Sequence, residues 1–129
     1  MKFLLDTNTV SYALRGVGGV VDQLHALSPG DVAISSITEA ELWFGVEKRK
    51  SEKLRRLVSA FLQPMTVLAF DGDCARIYGR LAADLEETGL PIGMAHTMIA
   101  AAMANDMILV THNLKHFERI DGLQLADWY

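Results

Sequence analysis

The segment Lys2-Phe3-Leu4-Leu5-Asp6-Thr7-Asn8 joins a short apolar run to three polar residues. An apolar run without polar alternation is typical of a strand that is buried on both faces, and Asp-Thr-Asn favours a turn. The segment therefore predicts a buried strand that ends at Asp6. A helix is expected after it, from Thr9 to about Leu14, where a glycine-rich stretch follows.

Further apolar stretches resemble the first and alternate with segments of helical periodicity. The predicted strands lie at residues 31–35, 66–70, 107–111 and 123–126. The predicted helices lie at 20–27, at 36–62, from a cap at Asp71 or Asp73 up to Gly89, and at 95–105. A charged bend inside 36–62 leaves open whether that segment forms long helices or a helical hairpin. Uninterrupted apolar strands alternating with helices are characteristic of a mainly parallel sheet covered on both faces. We therefore predict an α/β sandwich with about five strands, in a single domain spanning residues 1–129.

The composition is that of a folded globular protein. Half of the 129 residues are hydrophobic, 22% are charged, and there are only 3 prolines and 10 glycines. This excludes a disordered adaptor. The one cysteine, Cys74, cannot form an internal disulfide, which fits a reducing compartment. There is neither a signal-peptide pattern nor an apolar run long enough to span a membrane, so we expect a cytoplasmic protein with no membrane contact.

Positive charge is concentrated in one part of an otherwise acidic chain. The formal net charge is −4, from 12 Lys and Arg against 16 Asp and Glu. Half of the basic residues lie in residues 48–56, the basic segment: Lys48, Arg49, Lys50, Lys53, Arg55 and Arg56. One interpretation is a patch that contacts nucleic-acid phosphates. The other is a solvated helix face with Glu47 and Glu52 as intrahelical partners.

Polar residues follow several of the predicted strands. These are Asp6 after the first strand, Ser35, Ser36, Glu39 and Glu41 after the second, and Thr111, His112 and Asn113 after the fourth. The carboxyl ends of parallel strands meet at one edge of a sheet, which is where ligands bind. Carboxylate and amide oxygens are ligands that Mg²⁺ and Mn²⁺ prefer. This pattern predicts a metal site for phosphoryl or phosphodiester transfer.

Each of these residues also has a purely structural interpretation. Asp6 is a good helix cap, and Asn113 suits the start of a turn. Ser36 and Glu39 have the spacing of a capping box, which would leave Glu41 for chemistry; Thr38 and Glu41 form a competing box. His112 and His116 are expected at the surface, and Trp43 and Phe44 in the core.

The motifs, in this order and spacing, resemble the VapC-type toxin ribonucleases of the PIN-domain family. The matching stretches run nearly end to end: 3–8, Ile34-Ser35-Ser36-Ile37-Thr38 with Ala40-Glu41-Leu42, Phe44-Gly45, 89–93, Met98-Ile99-Ala100-Ala101, Leu109-Val110-Thr111 with Asn113 and Phe117, Gly122-Leu123, and Asp127-Trp128. The resemblance implies a PIN-like three-layer sandwich that cleaves RNA with Mg²⁺ or Mn²⁺. It also implies a homodimer and a VapB-like antitoxin as partner.

The resemblance assigns roles to individual positions of this chain. The first and second acids of the family fall on Asp6 and Glu41, and the fourth position falls on Asn113. Thr7, Asn8 and Thr111 match neighbours that support the metal and its waters. Separately from the resemblance, the charge pattern makes Lys48, Arg49, Lys50 and Lys53 of the basic segment candidate RNA contacts.

The third acid of the family pattern falls on His96, and no carboxylate stands between Ile92 and Ala104. We therefore place three residues in the metal-ligand set: Asp6, Glu41 and His96. The catalytic set consists of the same three residues and Asn113. An imidazole suits Mn²⁺ better than Mg²⁺. Three explanations stay open: an inactivating substitution, a weakened or Mn²⁺-preferring enzyme, or a catalytically dead module that binds antitoxin or RNA. An aspartyl phosphotransferase is disfavoured, because such an enzyme usually carries a second Asp two residues after its nucleophile, and here Asn8 stands two residues after Asp6.

Overall fold

The strands form one parallel sheet. A computed structural model describes residues 2–89, 93, 95–118 and 120–129, except for the side chain of His116. In these ranges the strands are β1 (Phe3–Leu5), β2 (Val32–Ser35), β3 (Thr66–Leu68), β4 (Ile108–Val110) and β5 (Leu125–Ala126). Their order in the sheet is β3-β2-β1-β4-β5, and every pairing is parallel. The predicted α/β class with a sheet of about five strands is confirmed.

The helices lie close to their predicted positions. They are α1 (Thr7–Arg15), α2 (Val20–Ala26), α3 (Ser36–Arg49), α4 (Glu52–Leu62), α5 (Gly72–Glu87), α6 (Ala95–Ala104) and α7 (Leu114–Phe117), and a 3₁₀ turn precedes β2 at Pro29–Asp31. The short helix α7 was not predicted. Of the two candidate caps for α5, Asp71 is the one used: its carboxylate accepts the amide hydrogen of Cys74. Of the residues 89–93 in the family resemblance, 90–92 lie outside the described residues.

The segment 36–62 forms a helical hairpin. Lys50 adopts a left-handed backbone conformation, with φ of 50°, which ends α3. Ser51 then caps α4 by accepting the amide hydrogen of Leu54 at 3.1 Å. The charged bend is therefore a two-residue turn that places the basic segment at the tip of the hairpin.

Alternate residues along each central strand face opposite layers of helices. Leu4, Ala33 and Leu109 pack with α5 and α6, whereas their chain neighbours Leu5, Ile34 and Val110 pack with α1, α2, α3 and α4. Side chains alternate across a strand, so the sheet is buried on both faces. The result is the predicted three-layer sandwich. Helix α6 is largely buried, which explains why its sequence is apolar on every side.

Parallel strands bring their carboxyl ends to one edge of the sheet. Asp6 follows β1 there, Ser36 follows β2, and Thr111 follows β4. Along the described ranges, no helix is long and apolar enough to cross a membrane.

Candidate functional site

Asp6 lies between β1 and α1 and is 8% exposed. Its backbone amide donates to the carbonyl of Val110 at 3.1 Å, which extends the pairing of β1 with β4. Its Oδ1 accepts the amide hydrogen of Thr9 at 2.7 Å and thereby caps α1. Helix capping thus engages Oδ1 of Asp6, which leaves the other carboxylate oxygen to face a ligand.

Glu41 is held by a hydroxyl group from the neighbouring helix. Thr7 donates from Oγ1 to Oε1 of Glu41 at 2.7 Å. The Oγ1 of Thr38 lies 3.1 Å from the Oγ1 of Thr7, and Thr38 also donates to Sδ of Met98 at 3.1 Å. Thr38 is completely buried and was not predicted as a site residue. The available signal was its position three residues before Glu41, on the same face of α3.

Both predicted capping boxes in α3 are wrong. The cap is Ser35, whose Oγ accepts the amide hydrogen of Ile37 at 3.1 Å. Ser36 instead accepts the amide hydrogen of Phe70 at 3.0 Å, because the end of β2 lies beside the chain that leaves β3. Glu39 accepts the indole hydrogen of Trp43 at 3.0 Å, one helical turn along α3. Glu41 therefore serves in neither box.

Asp6 and Glu41 line the same small cleft, of about 140 Å³. Its polar wall is completed by Thr7 and Asn8, and its apolar wall consists of Ala95, Met98 and Phe117. Two carboxylates, a hydroxyl and a side-chain amide form a hard-oxygen donor set. Such a set fits Mg²⁺ or Mn²⁺, which bind through one or two carboxylates, waters and substrate phosphates.

His96 is not among the residues that line this cleft. It lies in the first turn of α6, is 6% exposed, and accepts the amide hydrogen of Gly93 on Nδ1 at 3.0 Å. Among the described residues, no group of three or more His, Cys, Asp or Glu side chains is arranged to hold a metal. The predicted set of Asp6, Glu41 and His96 is therefore not brought together at this cleft, whose lining contains Asp6 and Glu41 but not His96.

Asn113 is exposed and lies between the end of β4 and the start of α7. Its amide donates to Oγ1 of Thr111 at 3.1 Å, and its side chain makes no capping bond to α7. Thr111 is buried, and its own amide donates to the carbonyl of Ala126 at 2.9 Å. Both residues lie at the predicted edge of the sheet, but outside the lining of the cleft.

A larger groove, of about 620 Å³, adjoins the cleft and shares Thr7, Asn8 and Glu41 with it. We call it the hairpin groove, because α1 forms one wall and the α3–α4 hairpin the other. Its lining also carries three basic residues, Arg15, Arg49 and Lys53. The acidic cleft therefore opens into a basic groove.

The basic segment contains both exposed basic residues that could contact phosphates and a basic residue that is paired with nearby glutamates. Lys48, Arg49, Lys50 and Lys53 are exposed. Arg55 instead contacts Glu47 at 2.7 Å and Glu52 at 3.5 Å, and its hydrogen bond to Glu47 is the main reason why the pKa of Arg55 is raised. The contact with Glu47 joins α3 to α4, so the expected intrahelical pairing is wrong for Glu47 and right for Glu52.

Phe44 is exposed, contrary to the expectation that it lies in the core. It is 65% exposed, and Nζ of Lys48 lies 5.8 Å from the centre of its ring. The buried residues of this helix include Leu42 and Val46, and Phe44 lies about 200° around the helix from each of them. Trp43 is half-buried. His112 is exposed, as predicted.

Comparison with known proteins gives one family. The family model described as PIN domain matches residues 3–123. The chain is 35% identical over 130 residues to the tRNA(fMet)-specific endonuclease VapC of Shigella flexneri, covering 99% of this chain and 98% of that one. It is 38% identical over 132 residues to ribonuclease VapC2 of Rickettsia felis, with the same coverage. The solved structure of VapBC2 from Rickettsia felis, bound to a promoter DNA fragment, matches with a TM-score of 0.90 and 35% identity, and covers both chains completely.

Proposed function

The chain belongs to the VapC ribonucleases of the PIN-domain family, and from this we propose that it is a divalent-metal-dependent endoribonuclease, the toxin of a type II toxin–antitoxin pair. One structural observation carries the proposal: Asp6 and Glu41, which are far apart in sequence, line the same cleft of about 140 Å³. Its oxygen donors suit a hard divalent cation.

In the proposed mechanism, Asp6 and Glu41 would hold Mg²⁺ or Mn²⁺ through their carboxylates. The ion would supply positive charge beside the scissile phosphate and lower the pKa of a water. Thr7 keeps the carboxylate of Glu41 in one orientation, and the Thr9 amide does the same for Asp6. Asn8 contributes a further polar group to the wall of the cleft. Asn113, which is exposed at the same edge of the sheet, would orient water there, and the buried Thr111 would act through Asn113, whose amide hydrogen it accepts.

His96 bears directly on the catalytic strength of this chain. It stands where the family pattern has its third acid, and its ring nitrogen is engaged by the amide of Gly93. With two carboxylates instead of three, metal affinity is lower, and Mn²⁺ is favoured over Mg²⁺ if the imidazole turns to the cleft. The three explanations for His96 therefore remain alternatives: a disabling substitution, a weakened enzyme, or a module that only binds.

RNA is the proposed substrate class, and the basic residues beside the cleft are its proposed phosphate contacts. Arg49 and Lys53 line the hairpin groove, and Lys48 and Lys50 are exposed on the same hairpin. Contacts of this kind raise affinity in a salt-dependent manner without reading sequence. They are needed here because the chain as a whole is acidic.

A VapB-like antitoxin is the proposed protein partner. The matching solved structures include VapBC complexes from Rickettsia felis and Salmonella typhimurium, the second with a TM-score of 0.88 and 33% identity. We extend the proposal to a homodimer of a single-domain chain that acts in the cytoplasm, where its RNA substrate is found.

The decisive experiment is cleavage of a fluorogenic RNA with Mg²⁺ and, separately, with Mn²⁺. Three proteins are compared: the chain itself, His96→Asp, and Asp6→Asn as the inactive control. Cleavage by the first two supports a working enzyme, and cleavage by His96→Asp alone supports a nuclease disabled at position 96. If neither cleaves under either metal, the endoribonuclease proposal fails.

A second candidate function is a non-catalytic module that binds antitoxin or RNA. It is favoured by the fact that no three-residue ligand set forms among the residues described. This candidate predicts that His96→Asp binds no more metal than the unchanged chain. Isothermal titration with Mn²⁺ distinguishes the two, because a nuclease disabled only at position 96 regains affinity when the carboxylate is restored.

A further inference from the structure

Three aromatic rings are grouped at the surface beside the hairpin groove. The ring of His112 stacks on that of Tyr129, with centres 4.1 Å apart and planes at 21°. Tyr12 meets both edge-on, at 5.9 Å from His112 and 4.8 Å from Tyr129. We call this group the aromatic platform. None of its members has a role in the proposed mechanism.

The platform is exposed and yet firmly held. Tyr129 is 49% exposed, and the side chain of His112 is 45% exposed. Asp127 binds both neighbours: its Oδ2 lies 3.0 Å from Nδ1 of His112, and its Oδ1 accepts the amide hydrogen of Tyr129 at 2.9 Å. The carbonyl of Tyr129 accepts the amide hydrogen of Gly19 at 2.8 Å. The rings therefore keep their positions without being buried in the core.

The platform is continuous with the hairpin groove. Tyr12 belongs to both, since it lines the groove and touches the other two rings. Arg15, also in the groove lining, places its guanidinium 5.4 Å from the centre of the Tyr12 ring. The groove thus carries a positive charge next to the rings, and at Glu41 it meets the acidic cleft.

We propose that this aromatic platform is a base-stacking subsite, which takes an unpaired base of the RNA whose backbone lies in the hairpin groove. The inference rests on the proposed function and adds a contact that recognises bases. Proteins that bind single-stranded RNA combine a basic groove for the backbone with aromatic rings on which bases stack. Because the rings are fixed before RNA arrives, little side-chain entropy is lost on stacking. The cationic groove residues favour an anionic occupant over an apolar peptide, and the exposed rings favour RNA over an acidic peptide, because RNA carries planar bases that stack on them.

Fluorescence anisotropy with two labelled ten-nucleotide RNAs tests the proposal, one with normal bases and one abasic throughout. Ca²⁺ replaces Mg²⁺, so that the cleft carboxylates are neutralised, and a gel checks that the RNA stays intact. The unchanged protein is expected to bind the normal RNA more tightly than the abasic one. Tyr129→Leu, which keeps apolar volume but removes the ring, should weaken binding of the normal RNA by about 5- to 100-fold. It should leave binding of the abasic RNA unchanged.

Two variants serve as controls. Tyr129→Phe keeps the ring and should bind both RNAs within about twofold of the unchanged protein, because stacking needs only an aromatic face. Tyr78→Leu makes the same substitution on α5, in the other helical layer, and should also bind both RNAs unchanged. Thermal unfolding of each variant checks that the fold is intact, and the abasic comparison in the unchanged protein needs no variant at all.

The outcomes separate failure of this inference from failure of the proposed function. If the unchanged protein binds the two RNAs equally, or if Tyr129→Leu does not alter binding of the normal RNA, the rings only anchor the chain and the subsite is refuted. If the unchanged protein binds neither RNA and cleaves no RNA, the ribonuclease proposal itself fails, and the subsite fails with it. A preference for normal RNA that Tyr129→Leu abolishes supports the subsite.

Discussion

The hydroxyl group of Thr7 donates a 2.7 Å hydrogen bond to Oε1 of Glu41, and this bond joins the first turn of α1 to α3. Asp6 immediately precedes Thr7 and caps the same helix. The position of one carboxylate is therefore set by the start of α1, and the orientation of the other is set by the next residue along that helix. A change at Thr7 alters the geometry of the pair without removing either acid.

Thr7→Val is expected to weaken Mn²⁺ binding by about 10- to 100-fold, the usual effect of losing a hydrogen bond that orients a metal ligand. Valine keeps the shape of threonine but leaves Oε1 of Glu41 without its donor. Isothermal titration with Mn²⁺ measures the change. Thr7→Ser, which restores the hydroxyl, should bind within a few fold of the unchanged protein; equal affinity in Thr7→Val would show that Glu41 is oriented by something else.

Glu41→Gln and Glu39→Gln form a matched pair on one helix. Glu41 lines the cleft, whereas Glu39 accepts the indole hydrogen of Trp43. Neutralising Glu41 should lower Mn²⁺ affinity by at least about tenfold, because one of two negative ligands is lost. Neutralising Glu39 should leave that affinity unchanged. Loss of Mn²⁺ binding in both variants, or in neither, would contradict the assignment of Glu41.

The edge of the sheet could be predicted from sequence because parallel strands impose it. Once the apolar runs at β1, β2 and β4 are identified, the residues directly after them are expected at the same edge of the sheet, because these parallel strands are neighbours. The capping of α3 could not be predicted in the same way. Ser35 and Ser36 are both good caps, and the choice depends on where β2 stops pairing with β3, at Ser35 opposite Leu68.

His96 and Phe44 show that periodicity can place a residue in a helix without giving the direction in which its side chain points. Periodicity places His96 in the first turn of a buried helix, but the direction of its ring is fixed by the amide of Gly93. Phe44 lies in a helix whose apolar residues extend around more than one face, so pattern alone does not decide which face packs on the sheet. Burial of Leu42 and Val46 decides it, and those contacts belong to the tertiary structure.

Asp71 makes the stability of the protein depend on pH in acid. The backbone amide of Cys74 donates to its carboxylate, and this hydrogen bond lowers the pKa of Asp71 below its ordinary value of 3.8. Since the folded state holds the charged form, the stabilisation is complete above about 3.8 and is lost as the pH falls through the lower, folded pKa. Asp71→Asn keeps a capping oxygen but cannot titrate. Urea unfolding from pH 7 to pH 2.5 should therefore show a smaller loss of stability in Asp71→Asn than in the unchanged protein; parallel curves would contradict this.

Gly18 is required by the way in which the segment 127–129 docks on the loop before α2. Its φ is +70°, and a Cβ at this position would lie 2.8 Å from the backbone carbonyl oxygen of Tyr129 and 3.0 Å from Cδ2 of its ring. Gly18→Ala should cost about 1–3 kcal/mol in the free energy of unfolding, because both the backbone conformation and the contact become strained. Urea denaturation measures the loss.

Gly79→Ala is the matched control, because Gly79 lies within α5 and a Cβ there would meet nothing within 4 Å. It should gain about 0.5–1 kcal/mol, since alanine restricts the unfolded chain and favours a helix. The same substitution is thus expected to change stability in opposite directions at the two positions. A stable Gly18→Ala variant would mean that Tyr129 docks on a different backbone surface, and the aromatic platform would then lose the contact that holds it beside the hairpin groove.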